Sequence, residues 1–451
     1  MNNPESPERK VDRRSFMGRS VKAAVGTALA TTALSYSRIL GANDHISLGH
    51  IGIGGRGRGL DKIVAVLKDK HNVEMTAVCD LWKLHRERAV ATNTEYYGRA
   101  PRSFQYLEDL LALKDIDAVL ISTPDHSHCP ILKLAAVAGK DAYVEKPMAH
   151  DLEDAKAARD AVLQRKRIVQ VGTQHRSEPY THAAYELFRT GVCGDVSLVQ
   201  INWNFHGPRW ANLPEVKQIR EEDTDWAKWL MQKPYRPFDP QIYFEFRLFK
   251  EFSSGIVGLF MSHAMDLVQW FMDDYYPHSV LANGGIYAWH DERQNPDTFG
   301  ALMTYPKGFM ATYVMTFGND SPSFCRYMGK KATLTAEGGE GTPRYELVEE
   351  KGNYEGNPNI GKERKSSFVL PPGDKEPPPE GLAAVGGDLT TYHMANWFEC
   401  LRSRKRPNAS ILDGFAHSVT CIMCAEAYWS GKKVYWDPET ETIIDHPPDV
   451  V

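Results

Sequence analysis

Three glycines carry the clearest chemical spacing in the chain. The stretch "GHIGIGGRGRGL" places Gly52-x-Gly54-x-x-Gly57 directly after the apolar run "ISLGHIGI" (46–53) and before a helical pattern. The first glycine permits a tight turn, and the second lets a pyrophosphate approach the backbone. The third allows close helix–strand packing, and the helix N-terminus faces the phosphate charge. A second apolar run, "VEMTAVC" (73–79), ends at Asp80, where an acid hydrogen-bonds the adenosine ribose hydroxyls. An acid there repels a 2′-phosphate, so NAD is expected and NADP disfavoured. Arg56 and Arg58 complicate that reading, since either side chain is able to neutralise a phosphate.

Other chemistries have weaker support. No GxSxG nucleophile motif is present. His126 and His128 of "HSH" lie two apart on a loop without partnered acids, a poor ligand set, so no metal is expected. Seven cysteines (79, 129, 193, 325, 400, 421 and 424) are odd in number and irregular in spacing, which argues against a disulfide framework. Cys421 and Cys424 sit in the apolar helical pattern "SVTCIMCAEAYW" and read as buried thiols.

Of the 451 residues, 42% are hydrophobic and 25% charged, which is ordinary for a soluble globular protein. The formal net charge of −5 offers no basic field for nucleic acid or anionic membrane. Ten tryptophans fall largely in the middle of the chain, more than a core requires. Near the start, Arg13 and Arg14 of "DRRSFMGRS" precede "AAVGTALATTALSYS". That run is too short and too rich in Ser and Thr to cross about 30 Å of hydrocarbon. The segment resembles a twin-arginine signal, which exports folded proteins. We therefore expect a removable signal over residues 1–42 and a periplasmic protein with no stable membrane insertion. Folding around the dinucleotide before export predicts a resident cofactor.

These groups need a scaffold. After 46–53 and 73–79, short apolar runs recur at 117–123, 141–145 and 168–173, with helical patterns such as "PILKLAAVAGK" and "DLEDAKAARDAVLQRK" between them. That alternation indicates a parallel sheet with crossover helices. After residue 175, "VQINWNF" (199–205) alternates Ile201, Trp203 and Phe205 with Asn202 and Asn204. "TFGALMTYP", "GFMATYVMTF" and "KKATLTAEG" follow as strands expected to run antiparallel with one face covered. Residues 352–388 are rich in Pro, Gly and charge and read as a surface insertion, and a helix begins near Asp388. The expected architecture is α/β, with an N-terminal Rossmann domain (43–173) and a C-terminal α/β domain (174–451) built on an open, mainly antiparallel sheet.

Several segments together resemble the Gfo/Idh/MocA oxidoreductase family. They are "GIGGRGRG", "STPDHSH" (122–128), "EKP" (145–147), "VGTQHR" (171–176), "SHAMDLVQWF" (262–271) and "HMANWFECLRSRKRP" (393–407), in family order. The resemblance implies that Lys146 sits beside the nicotinamide and hydrogen-bonds the reacting hydroxyl, aimed by Pro147. An ammonium there stabilises developing alkoxide. His263 matches the family's catalytic histidine, which takes the hydroxyl proton. Asp266, three residues on, shares its helical face and either orients His263 or pairs with a neighbouring arginine. Arg56, Thr123, Pro124, His128 and Glu145 are expected along the cofactor, with Asp125 and His126 near the nicotinamide ribose. Arg176, Trp203, His206 and Arg209 fall where the family's second domain faces substrate. Family members commonly form homodimers or homotetramers through the open sheet.

The chain departs from the family pattern at Leu259, four residues before His263, where many members carry Asp. The resemblance implies hydride transfer to or from a hydroxyl of a sugar, glycoside or cyclic polyol. An NAD-dependent glycosidase working by transient oxidation and elimination is the alternative, and a non-catalytic sugar or nucleotide sensor a third.

Overall fold

The computed structural model describes residues 45–338, 343–352, 362–375 and 389–448. The expected signal segment and much of the expected insertion lie outside these residues.

The first sheet is built from β1 (Ile46–Ile51), β2 (Val73–Cys79), β3 (Arg102–Phe104), β4 (Ala118–Ile121), β5 (Asp141–Val144) and β6 (Val169–Val171). Its order is β3-β2-β1-β4-β5-β6, with every neighbouring pair parallel. β1 is buried at all six positions, as expected of a central parallel strand covered on both faces. The short edge strand β3, with Arg102 and Ser103 exposed, has no apolar run and left no signal in the sequence.

The second sheet starts at β7 (Val196–His206) and continues with β8 (Ser279–Gly285), β9 (Thr298–Thr304), β10 (Met310–Thr316), β11 (Gly318–Asn319), β12 (Phe324–Gly329), β13 (Ala332–Glu337), β14 (Arg344–Glu349), β15 (Ser366–Val369), β16 (Val434–Asp437) and β17 (Thr442–Ile444). Its order is β15-β14-β13-β12-β7-β10-β9-β8-β16-β17, with β11 on β7. The sheet is mainly antiparallel, as expected; within it β10 is antiparallel to β9 but parallel to β7. One correction concerns the insertion, because its residues 366–369 form β15 at the sheet edge against β14.

Val199, Ile201 and Trp203 of β7 are buried, while Asn202 and Asn204 turn outward to the carbonyls of Pro322 and Ser321. The other face keeps an apolar row in the open: Leu281, Leu302 and Val314 are 47%, 49% and 48% exposed.

The helix Leu389–Ser403 does not stay with the second domain. Its Met394, Trp397, Phe398 and Leu401 complete the core formed by Ile46, Leu48, Leu60 and Val64. Burying each such side chain contributes roughly 1.5–3 kcal/mol. The Rossmann core is therefore unfinished within 43–173. The helix Ile411–Ser430 begins with a capping box, in which Ser410 and Asp413 satisfy each other's end of the turn, and stops at left-handed Gly431. Cys421 and Cys424 are buried on it as free thiols.

Candidate active site

The glycine loop is shaped by close approach. Gly52 adopts φ +84, and a Cβ there would lie 2.5 Å from Thr123 Cγ2. A Cβ on Gly57 would lie 2.6 Å from the Gly52 carbonyl oxygen and 2.9 Å from Ser122 Oγ. Beneath the loop, His50 links Asp61 (2.6 Å) to Ser122 (2.8 Å), and Ser122 Oγ donates to the Gly52 carbonyl at 2.6 Å. Gly54 leaves open space, its nearest neighbour at 3.7 Å from a notional Cβ being His85.

Asp80 stands at the end of β2, accepting from Ile53 N (2.7 Å) and Trp82 N (2.9 Å), with His85 Nδ1 3.2 Å away. Burial works to raise its pKa, but His85 and the two amides hold the carboxyl below its ordinary value, so it is ionised. A cavity of about 530 Å³ runs past Gly52, Gly54, Asp80, Thr123 and Pro124. A cradle without Cβ atoms, a helix N-terminus and an ionised acid at the ribose end fit a dinucleotide without 2′-phosphate. Arg56 is not free for such a phosphate: its Nε donates to Glu145 at 2.7 Å, and Arg58 is exposed.

A second cavity of about 400 Å³ shares Arg56, Ser122, Thr123, Trp210 and Arg247 with the first. Lys146, His175, Trp203, Arg209 and His263 also line it. The "EKP" turn follows β5, and its Lys146–Pro147 bond is cis. Lys146 Nζ donates to the Leu259 carbonyl at 2.9 Å. Burial lowers the Lys146 pKa to about 8, with Arg56 and Arg247 pushing the same way against Glu145. Burial, then the Lys146 and His175 charges, hold His263 well below its ordinary value, so its imidazole is neutral. The ring of His175 meets that of His263 edge-on, with centroids 5.5 Å apart at 89°. Burial likewise lowers His175, to about 4. Nδ1 of each is buried without a hydrogen-bond partner among the described residues.

The remaining sequence candidates separate into groups. Trp203 and Arg209 face the cavity, with Arg209 over the rings of Phe205 (4.6 Å) and Phe260 (4.9 Å). His128 lines it too, but its nitrogens lie 2.8 Å from the Pro147 carbonyl and 2.7 Å from the Thr123 carbonyl, so it pins those two turns together. Asp125 accepts from Ser253 at 2.6 Å. His126 is a packing residue between Trp229 and Phe252, bonded to the Trp229 carbonyl at 2.9 Å.

Three expectations need correction. Asp266 is fully buried outside both cavities and accepts from Arg176 Nε at 2.8 Å, so it pairs with an arginine and does not serve the reacting centre. Arg176, 4% exposed, lies between Asp266 and Asp413 (3.1 Å) and lines neither cavity. His206 stands at the end of β7 on the outward side, beside Trp289 at 5.9 Å, because even positions of that strand face away from the Trp203 side.

Among the residues of the second cavity that escaped sequence reasoning, two are titratable. His175 sits in the turn Gln174–Ser177 immediately after β6, and its position at the carboxyl end of a parallel strand was the available signal. Arg247 lies in the short turn Phe246–Leu248, over the Phe246 ring at 4.4 Å, in a stretch without periodicity.

Comparison with known proteins places this geometry. Residues 46–173 match the family described as "Oxidoreductase family, NAD-binding Rossmann fold", and residues 231–435 match its "C-terminal alpha/beta domain". A glycosyl hydrolase family 109 protein of Shewanella sp. (strain ANA-3) is 36% identical over 163 residues, 32% of this chain and 35% of that protein. An inositol 2-dehydrogenase of Rhizobium meliloti (strain 1021) is 30% identical over 145 residues, 30% of this chain and 42% of that protein. The chain thus spans well under half the length of these curated relatives. The solved structure of a levoglucosan dehydrogenase with NADH and levoglucosan superposes with a TM-score of 0.64 over 87% of this chain and 99% of that one; at 16% identity the likeness is one of fold. Two successive family matches, a Rossmann sheet in the order read above and a glycine cradle with Asp80 at the end of the second strand lead to one conclusion: the chain belongs to the Gfo/Idh/MocA oxidoreductases and uses NAD.

Proposed function

We propose that the protein oxidises or reduces a hydroxyl of a sugar, glycoside or cyclic polyol. The observation that carries this reading is that Lys146 and His263 line one cavity, which shares Arg56, Ser122, Thr123, Trp210 and Arg247 with the glycine-cradled cleft. When bound, the nicotinamide supplies a two-electron acceptor or donor at its ring carbon. Lys146, protonated below about pH 8, holds the carbinol oxygen and stabilises its developing negative charge. His263, neutral, takes the hydroxyl proton. The Leu259 carbonyl fixes the ammonium where the family pattern puts a carboxylate. Trp203 and Trp210 wall the cavity against water.

A screen of sugars, cyclitols and glycosides, with nicotinamide absorbance at 340 nm as readout, tests this. Lys146→Ala should lower turnover roughly 10²- to 10⁴-fold. Equal rates for the variant and the parent would sink the proposal. The similarity to a family 109 glycosyl hydrolase favours a second reading, in which oxidation, elimination, hydration and reduction cleave a glycoside with no net redox change. Release of nitrophenol from nitrophenyl glycosides without accumulation of reduced cofactor distinguishes it. Retention of Lys146 and His263 in one cavity counts against a sensor.

Two further proposals follow, one from the sequence and one from the structure. The twin arginines support export of the folded holoprotein to the periplasm. The exposed apolar row of Leu281, Leu302 and Val314 supports association through the open sheet face, as a homodimer or a pair of dimers.

A further inference from the structure

The cofactor cleft has two walls of different origin. Gly52, Gly54, Asp80, Tyr106 and Thr123 form the inner one. The outer wall is Trp210, Lys228, Trp229, Tyr243, Phe244 and Arg247, all from the connection between His206, which ends β7, and the helix Met261–Met272. A segment of the second domain thus lies along the side of the cleft opposite the glycine loop.

The segment has its own internal order. Trp226 stacks on Trp229 at 4.8 Å, and Trp229 stacks on Tyr243 at 5.4 Å. With Leu230, Ile242 and Phe252 they make a separate apolar cluster, which also includes Trp82 from the Rossmann side. Asp225 and Asp239 cap its two short helices. Three of the mid-chain tryptophans, Trp210, Trp226 and Trp229, belong to this segment.

Its edges are fastened to the Rossmann domain at several points. Phe244 meets Trp82 edge-on at 5.0 Å. Lys228 Nζ reaches Glu108 Oε1 at 2.7 Å, and Gln232 donates to both oxygens of Asp154 at 2.7 and 2.8 Å. The Trp229 carbonyl lies 2.9 Å from His126 Nε2, and Ser253 donates to Asp125 at 2.6 Å. A dinucleotide on the glycine loop would lie between these two walls, and each fastening that holds the outer wall in place would slow its departure.

We propose that residues 210–247 form a strap that completes the dinucleotide site, so that NAD stays bound between turnovers. The inference rests on NAD as the cofactor and is independent of which sugar reacts. The test is NADH release from the loaded protein, followed by loss of its fluorescence after mixing with excess NAD. The parent should keep its nucleotide through extended dialysis and release it over minutes or longer. Phe244→Ala should speed release at least tenfold. Lys228→Glu should speed it about threefold, the scale of one exposed ion pair, and adding Glu108→Lys should restore the parental rate. Lys228 and Glu108 are 52% and 55% exposed, so this pair decides the matter even if Phe244→Ala does not fold. Release within a second from the parent, or rates unmoved by every variant, overturns the strap. Because no sugar enters the experiment, slow release with no sugar turnover would defeat the proposed activity and leave the strap standing; fast release with turnover would do the reverse.

Discussion

The ammonium of Lys146 is bonded to the main-chain carbonyl of Leu259 at 2.9 Å, and no carboxylate of the histidine helix reaches it. A carbonyl orients the amine without neutralising it. Burial, supported by Arg56 and Arg247, then sets the Lys146 pKa at about 8. The charged form is present below that value and lost as pH rises through it. We predict that kcat/KM falls above about pH 8, with no acid limb from His263 near pH 6, because that imidazole is already neutral there. A profile level to pH 10 would contradict the assignment of Lys146.

Arg176 serves stability. Replacing it with Met leaves Asp266 buried without its guanidinium, which costs about 3–5 kcal/mol. Burial opposes ionisation of Asp266, but Arg176 and His417 hold its pKa below the ordinary value. The stabilisation is therefore present above about pH 4 and lost as pH falls through the depressed value. Denaturant titrations should show a large gap between parent and Arg176→Met at pH 7 that narrows toward acid, with the folded variant still active.

Two glycines of one helix should respond oppositely to alanine. A Cβ at Gly57 meets the Gly52 carbonyl oxygen at 2.6 Å, so Gly57→Ala should displace the loop and weaken NADH binding at least tenfold. Gly59 has nothing within 4 Å, and Gly59→Ala should gain up to about 1 kcal/mol with NADH affinity unchanged. Calorimetry on both variants checks the pair.

The open sheet face supplies a further expectation. Val314→Glu places a charge in the exposed apolar row and should shift the protein to monomer, with light scattering coupled to size-exclusion chromatography as readout. An unchanged assembly size would remove this face as the interface.

Much of the first domain was legible from local signals. Short apolar runs at regular intervals gave the parallel strands, and glycines at 52, 54 and 57 identified the cradle by their spacing between a strand and a helix, with Gly52 and Gly57 held by close backbone approach. The alternation of Ile201 and Trp203 with Asn202 and Asn204 gave the orientation of β7 but not its neighbours, since parallel β10 arrives from over a hundred residues away. For the same reason the Arg176–Asp266 pair was unreadable: each residue suits a site or a core, and only the fold joins them. His175 and Arg247 stand on short turns, where neither period 2 nor period 3.6 marks which side chain points inward.

The docking of Trp397 and Phe398 onto Leu48 and Leu60 has a consequence for biosynthesis. A nascent chain that has emerged only to residue 173 holds every strand of the NAD-binding sheet, yet one layer of its core is still inside the ribosome. The cradle's core is complete only when the helix Leu389–Ser403 is free to dock, so the finished NAD-binding fold comes late in synthesis. A truncated fragment ending at β6 would expose that apolar face and aggregate, however complete its glycine loop.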